Sequence, residues 1–436
     1  MPGRIMIAFL LLALLAHPAP AAPQASAITT EVLPNGLTVV AAESHTSDVV
    51  TLNAWMKVGS RDETDEMNGA AHFVEHLLFK GTYRRSPGEM SREVESIGGQ
   101  LNASTSFDFT QYYIVAASRF FDRMLDLQAD ALMNSTLEPA EVDRERTVVL
   151  QELALVDDSP GRSGFIRLYA TLYQAHPYRR PVGGQRPIIQ RMTRDELYGF
   201  YRAHYGPANV TLIVAGDVAA AEVMAKVRRV LGSWRHPVQP KAAAPAEPPP
   251  AEIRRVAVER DVRAVTLLMG WIGADVRSPD HYALDVLVAV LGQGRGARLT
   301  RSLRDRQQLV QSVNVGFGTS IDPGLFVISA VADPPQAGRV EPAVLAELAA
   351  VRAEGVTDEE LERAKTLIDM DTRVSRHTSR GTASALGYAA TIATLDYHET
   401  YLDRIRAVTR ADVQRAASRY LDPQRYAVVT VQPRSR

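Results

Sequence analysis

Apolar and polar residues alternate along Val49–Val58, the period-two pattern of a strand with one buried face. Leu101–Ser106 and Thr110–Ala116 repeat that pattern. Asn209–Asp217 is almost wholly apolar, as a strand buried on both faces would be. Between these runs the period lengthens to that of a helix over Ser91–Ile97, Ser118–Met133 and Pro139–Val156, and again up to about Trp234. Gly98-Gly99 marks a helix end. Val32–Ala41 reads as a hairpin in which Asn35-Gly36 supplies the positive φ angles of a tight turn. The mixture predicts an α+β fold with antiparallel-rich sheets packed against helices.

The periodicity stops at His236. From there to Ala251 the chain is rich in proline and alanine with no apolar period, which predicts a semi-extended linker over 236–252. The two flanking segments, 28–235 and 253–436, share a plan. Ile189–Asp217 holds Met-Thr-Arg-Asp-Glu-Leu, then Phe-Tyr-Arg-Ala-His-Tyr, then a Val/Ile strand. Ile405–Pro433 holds Val-Thr-Arg-Ala-Asp-Val, then Ala-Ala-Ser-Arg-Tyr-Leu, then another such strand. Two homologous domains made by internal duplication are the expectation.

Composition narrows the function classes. A chain of 436 residues is long enough for two cores. Its formal net charge of -1 offers no field for nucleic acid. It has no cysteine, which removes disulfides, thiolate metal sites and thiol nucleophiles. Arg4 precedes a short apolar run, Ile5–Ala16, and small-residue sites end at Ala21 and Ala27. Residues 1–27 therefore read as a secretory signal peptide, so an exported, periplasmic protein without a stable membrane span is expected.

The candidate chemistry lies in Gly69-Ala-Ala-His-Phe-Val-Glu-His-Leu-Leu-Phe-Lys-Gly-Thr82. On a helix His72 and His76 are four apart and project from one face, where they can share a Zn2+ ion. Glu75 sits at the rim of that face, placed to take a proton from a metal-activated water. This is the H-x-x-E-H pattern, a hydrolase signature. A third ligand is required, and Glu152, on the helix after Pro139, is the candidate. Glu145 lies two turns earlier on the same face and could orient a ligand. On spacing alone both glutamates could equally be solvated helix charges. His176 and His204 have no partner at metal spacing and read as structural. Gly292-Gln-Gly-Arg-Gly296 lacks the residues of a phosphate loop and reads as a turn into the next helix.

With Leu-Leu-Phe-Lys-Gly-Thr following H-x-x-E-H, with Ile97-Gly-Gly-x-x-Asn-Ala103, and with Glu145-Arg-x-Val-Val-x-x-Glu152, the chain resembles the inverted-zincin peptidases. That family includes pitrilysin, insulin-degrading enzyme and the mitochondrial processing peptidase. The resemblance implies His72, His76 and Glu152 as zinc ligands, Glu75 as general base and Glu145 as the carboxylate behind a ligand. It also implies that Asn102 and Ala103 lie on an edge strand where a peptide adds by main-chain hydrogen bonds. Members of this length build a chamber from two chains, and an Arg followed seven residues later by Tyr reaches the substrate carbonyl. Arg304 matches that arginine, but Gln311 stands at the tyrosine place. The expectation is a zinc endopeptidase paired with a homologous chain that supplies the Arg/Tyr pair, ahead of a homodimer. The alternative is a non-catalytic assembly subunit that keeps the fold.

Overall fold

The computed structural model describes residues 28–434, so the expected signal segment lies outside the described residues. The first half contributes strands β1 (Ile28–Val32), β2 (Thr38–Glu43), β3 (Val49–Met56), β4 (Gln100–Thr105), β5 (Thr110–Ala117) and β6 (Val210–Gly216). They form one sheet in the order β1-β2-β6-β3-β5-β4, so β4 is an edge. The second half contributes β7 (Arg254–Arg260), β8 (Val265–Ile272), β9 (Ser312–Phe317), β10 (Leu325–Ala332) and β11 (Ala427–Pro433) in the order β7-β11-β8-β10-β9. The two orders superimpose. β2 runs parallel to β6 as β7 does to β11, and every other pair in the two sheets is antiparallel. Among the described residues the first sheet adds one strand, β1. The fold is α+β in two homologous sheet-containing halves.

Helices α1 (Ala70–Leu77), α2 (Glu89–Ser96), α3 (Phe121–Asn134), α4 (Pro139–Asp157), α5 (Pro160–Leu172), α6 (Arg186–Arg191), α7 (Arg194–His204) and α8 (Ala220–Leu231) belong to the first half. Helices α9 (Asp280–Gly292), α10 (Pro334–Glu354), α11 (Asp358–Ser375), α12 (Ser379–Ile392), α13 (Leu395–Ala407) and α14 (Arg410–Tyr420) belong to the second. The repeated Thr-Arg strings are matched capping boxes. Thr193 and Glu196 start α7, and Thr409 and Asp412 start α14. Each of these helices leads into a central strand of its own sheet.

Each half also lends a helix to the other. On the second sheet α5 packs through Leu168 and Leu172 against Leu268, Leu325 and Val429. On the first sheet α12 packs through Ala383 and Leu386 against Val40, Trp55 and Ile213. At one position in each contact the helix comes too close for any side chain. A Cβ on Gly164 of α5 would meet Leu268 at 2.7 Å, and one on Gly387 of α12 would meet the Trp55 indole nitrogen at 2.0 Å. Helical periodicity carries nothing about which sheet a helix covers.

A polar latch joins the halves beside β4. The β9–β10 loop presents Ile321, Asp322 and Pro323 to the first half. The Ile321 N–H donates to Asp108 at 3.1 Å, and the Arg61 Nε–H donates to Asp322 at 2.6 Å. His176 Nε2 meets Asp322 at 3.0 Å, and Tyr173 donates to the Pro323 carbonyl at 2.8 Å. His176 is buried in this latch, away from any metal-binding group, while His204 lies half-buried at the end of α7. Burial alone would raise the Asp322 carboxyl, but the hydrogen bonds from His176 and Arg61 outweigh it and hold it at about 2. The folded value lies below the unfolded one, so the contribution is complete above about pH 4 and fades as pH falls toward 2. Asp322→Asn is expected to lower unfolding free energy at pH 7 by on the order of 2 kcal/mol and to change nothing near pH 2. Urea titrations at the two pH values check this, and an equal loss at both would refute it.

Three local expectations are corrected or refined. Asn35 does not share the positive φ of its neighbour: only Gly36 does, at 90°. The connection is longer than a two-residue turn, and the Asn35 amide donates instead to the carbonyls of Leu231 and Trp234, closing the end of α8. The linker has no helix or strand over residues 235–250, but it is strapped to the first half. Glu247 accepts from the N–H groups of Gln174, Ala175 and His176, and Lys241 pairs with Asp62. The glycine-rich stretch after α9 leads into a π-helical turn, Thr300–Arg306.

Candidate metal centre

The sequence H-x-x-E-H forms α1, and its entry is built by a residue outside the helix. Glu63 is buried and accepts hydrogen bonds from Asn68 Nδ2, the Gly69 N–H and the Ala71 N–H, each at 2.9 Å. It thereby satisfies donors at the start of a helix whose N-cap residue, Gly69, has no side chain to do so. Burial pushes the Glu63 carboxyl up to about 8, against the pull of those donors and of Arg180. Arg180 also clamps this loop through the Glu63 carbonyl and Asp65.

Phe73, Val74 and Leu77 enter the first core, which leaves His72, Glu75 and His76 on the remaining face. There α4 brings Glu152 to them. His72 Nε2 lies 3.7 Å and His76 Nε2 3.4 Å from Glu152 Oε2. All three ligand atoms fall within 4.8 Å of one another, the only such group among the described residues. In a tetrahedral zinc site with bonds near 2.0–2.1 Å, ligand atoms sit about 3.3–3.5 Å apart. The two spacings to Glu152 approach this, and two imidazole nitrogens with one carboxylate oxygen are a donor set that fits zinc. Burial, with His76 beside it, pushes the His72 imidazole down to about 4, which keeps it neutral as a ligand must be.

Glu145 does not join the ligand atoms. Its Oε2 lies 3.2 Å from His76 Nδ1 and its Oε1 2.7 Å from Lys80 Nζ. A carboxylate in this position fixes the imidazole ring with Nε2 toward the metal. Glu75 stands apart from the ligand set and is held by Thr105, whose hydroxyl donates to Glu75 Oε2 at 2.7 Å. Burial raises the Glu75 carboxyl, and the Thr105 and His76 contacts partly offset this. Thr105 belongs to β4, so the edge strand and the candidate base are tied together. Removing a hydrogen bond to a charged group costs about 1.5–3 kcal/mol. Thr105→Val is therefore expected to lower kcat about tenfold with zinc content unchanged, while Thr105→Ser stays near wild type. Steady-state kinetics beside metal analysis tests this. Wild-type kcat in the valine variant would dismiss the role.

Asn102 and Ala103 lie on β4 as expected. Asn102 points outward and accepts from the Ala103 N–H, whereas Leu101 and Ala103 pack toward the core. Arg304 and Gln311 are not brought to the cluster within this chain. Arg304 pairs with Asp305, and Gln311 donates to Asp333, all in the second half. Glu63 and Thr105 had no sequence signal: one lies in a loop, and the other is a threonine at an ordinary strand position.

Residues 38–186 match the family described as insulinase, peptidase family M16, and residues 191–368 match the peptidase M16 inactive domain. An uncharacterised zinc protease of Mycobacterium tuberculosis is 32% identical over 424 residues, covering 95% of this chain and 94% of that protein. The chain belongs to peptidase family M16. An Arabidopsis thaliana protein described as the beta subunit of the mitochondrial-processing peptidase is 30% identical across 92% of this chain and 77% of its own length. Among solved structures, a protease from Helicobacter pylori superimposes with a TM-score of 0.88 at 27% identity, covering 94% of this chain and 100% of that one. A peptidase M16 inactive domain from Pseudomonas fluorescens shares the fold at a TM-score of 0.85 and 20% identity, over 94% and 98% of the two chains. Both matched M16 segments thus lie on one chain, and the metal cluster is confined to the first half.

Proposed function

We propose that this M16 chain is an exported, periplasmic zinc endopeptidase that cuts peptides or unfolded segments. The observation that carries the reading is the convergence of His72, His76 and Glu152, with Glu75 anchored beside them but outside the ligand set. The chemistry supplied by bound zinc is Lewis acidity toward water and the scissile carbonyl. The chain supplies the rest. The unpaired edge of β4 hydrogen-bonds the peptide as an added strand, so its backbone runs past the cluster. Glu75 takes the proton from the attacking water and delivers it to the leaving amine. Glu145 holds the Nδ1 side of His76, and Lys80 balances its charge.

Arg304 and Gln311 remain in the second half, so carbonyl-stabilising donors are sought in another chain. We propose a two-chain chamber in which a homologous partner supplies an Arg/Tyr pair, the homodimer being the other arrangement. The alternative of a non-catalytic subunit draws on the inactive-domain match, but that match begins at residue 191, beyond every residue of the cluster. Purified chain is expected to hold about one zinc and to cleave a quenched peptide. A chelator should abolish cleavage and added zinc restore it. Assaying the chain alone and with its homologue tests the pairing. Zinc-free protein without cleavage in either setting would favour the non-catalytic subunit.

A further inference from the structure

Two opposite charges in the second half face one cavity without meeting. The cavity, of about 320 Å³, lies between α9, α11, α12 and α13. Asp285 on α9 and Arg376 at the end of α11 are the only formal charges among the described residues that line it. Asp285 accepts from the Tyr401 hydroxyl at 2.9 Å and has no cationic partner among the described residues. Burial pushes its carboxyl up to about 7. Arg376 donates to the His398 carbonyl at 3.3 Å and has no carboxylate partner among the described residues. Burial pulls its guanidinium below the usual value. Burial and Arg376 also push the His398 imidazole down to about 4, and its Nδ1 is buried without a hydrogen-bond partner among the described residues. Much of the remaining lining is aromatic, from Phe317, Tyr388, Tyr397 and Tyr401.

Asp285 occupies the counterpart of a metal-cluster position. On α1 the buried residues are Ala70, Ala71, Phe73, Val74 and Leu77, and Ala283, Leu284, Val286, Leu287 and Val290 repeat that spacing on α9. On α4 and α11, Val142, Glu145 and Val149 are matched by Leu361, Ala364 and Ile368. In this register Asp285 stands where His72 does, Val288 and Ala289 where Glu75 and His76 do, and Asp371 where Glu152 does. No imidazole remains at these positions, so the donor set that suits zinc is gone and a different ligand chemistry is called for. A buried charge without a partner is costly. One molecule bearing both an ammonium and a carboxylate would satisfy Asp285 and Arg376 together.

We propose that this cavity binds a free α-amino acid with a bulky apolar or aromatic side chain. Its ammonium pairs with Asp285 and its carboxylate with Arg376. Its side chain packs among Tyr388, Tyr397 and Tyr401. The volume is in the range that encloses a small molecule. The site goes beyond the peptidase reading and does not depend on it, because none of His72, Glu75, His76 and Glu152 lines it.

Calorimetric titration and thermal melting of the full-length protein test this with four probes: L-phenylalanine, N-acetyl-L-phenylalanine, L-phenylalaninamide and glycine. Phenylalanine is expected to bind and to raise Tm. The acetyl and amide forms, each lacking one charge, should bind roughly tenfold or more weakly, and glycine should be weakened for want of a side chain. Asp285→Asn should bring phenylalanine and its acetyl form within about twofold of each other, and Arg376→Gln should do the same for phenylalanine and its amide. Each comparison is made within one variant, so a change in that variant's own stability does not mimic it. Amino acids also chelate zinc, so His72→Ala protein, without the metal, is the control and should bind phenylalanine as wild type does. Loss of binding in that variant would give the ligand to the metal cluster and overturn the proposal. So would equal affinity for all four probes, or an unchanged Tm at roughly 10 mM phenylalanine. No arm reads cleavage, so failure here leaves the peptidase reading intact, and a protein that cleaves nothing can still bear out the cavity.

Discussion

Glu75→Gln is expected to lower kcat/KM by about three to four orders of magnitude while zinc remains bound at wild-type stoichiometry. Glutamine keeps the shape and can still accept the Thr105 hydrogen bond, so the fold and the ligand set are untouched. What it cannot do is carry a proton from water to the leaving amine. His72→Ala and His76→Ala should fail differently, by losing the metal itself, because each removes one of the three converging ligand atoms. Metal analysis beside peptide cleavage separates the two kinds of failure. A Glu75→Gln protein that cleaves at the wild-type rate would end the assignment of Glu75 as base.

The second large effect is expected from a residue that touches neither metal nor substrate. Glu63→Ala leaves Asn68 Nδ2 and the Gly69 and Ala71 N–H groups without their acceptor in a buried setting. Each unsatisfied buried donor costs about 1–3 kcal/mol, so a total of about 3–5 kcal/mol is expected, with partial relief from water entering the gap. The damage falls at the start of the helix that carries His72, so zinc affinity should drop with stability. Glu63→Gln retains one acceptor oxygen and is expected to fall between the two. Urea titration and chelator competition measure both quantities. A Glu63→Ala protein with wild-type Tm and zinc affinity would refute the capping role.

These two residues show where the sequence was legible. His72, Glu75 and His76 sit on one helix, and Glu145 and Glu152 on another, so regular periodicity announces their shared faces before any fold is known. Duplication was legible for a similar reason: Thr-x-x-Glu and Thr-x-x-Asp cap helices that lead into matching strands. Glu63 could not be found this way. Its acceptors reach donors up to eight positions away through an irregular loop, and no period encodes that path. The exchange of α5 and α12 was equally hidden, because an amphipathic stripe says that a face is buried and not against what. Asn35 misled in the opposite direction. Asn-Gly suits a tight turn, but here a tertiary partner, the end of α8, claims the asparagine amide.

The exchange of α5 and α12 also bears on the history of the molecule. A gene that doubled a single unit could at first have encoded two self-sufficient copies. Once each copy roofs the other's sheet, with a glycine at both points of closest approach, neither can be discarded without stripping its sibling. The half without the His72, His76 and Glu152 cluster is thus tied to its sibling by packing, because removing it would bare the first sheet.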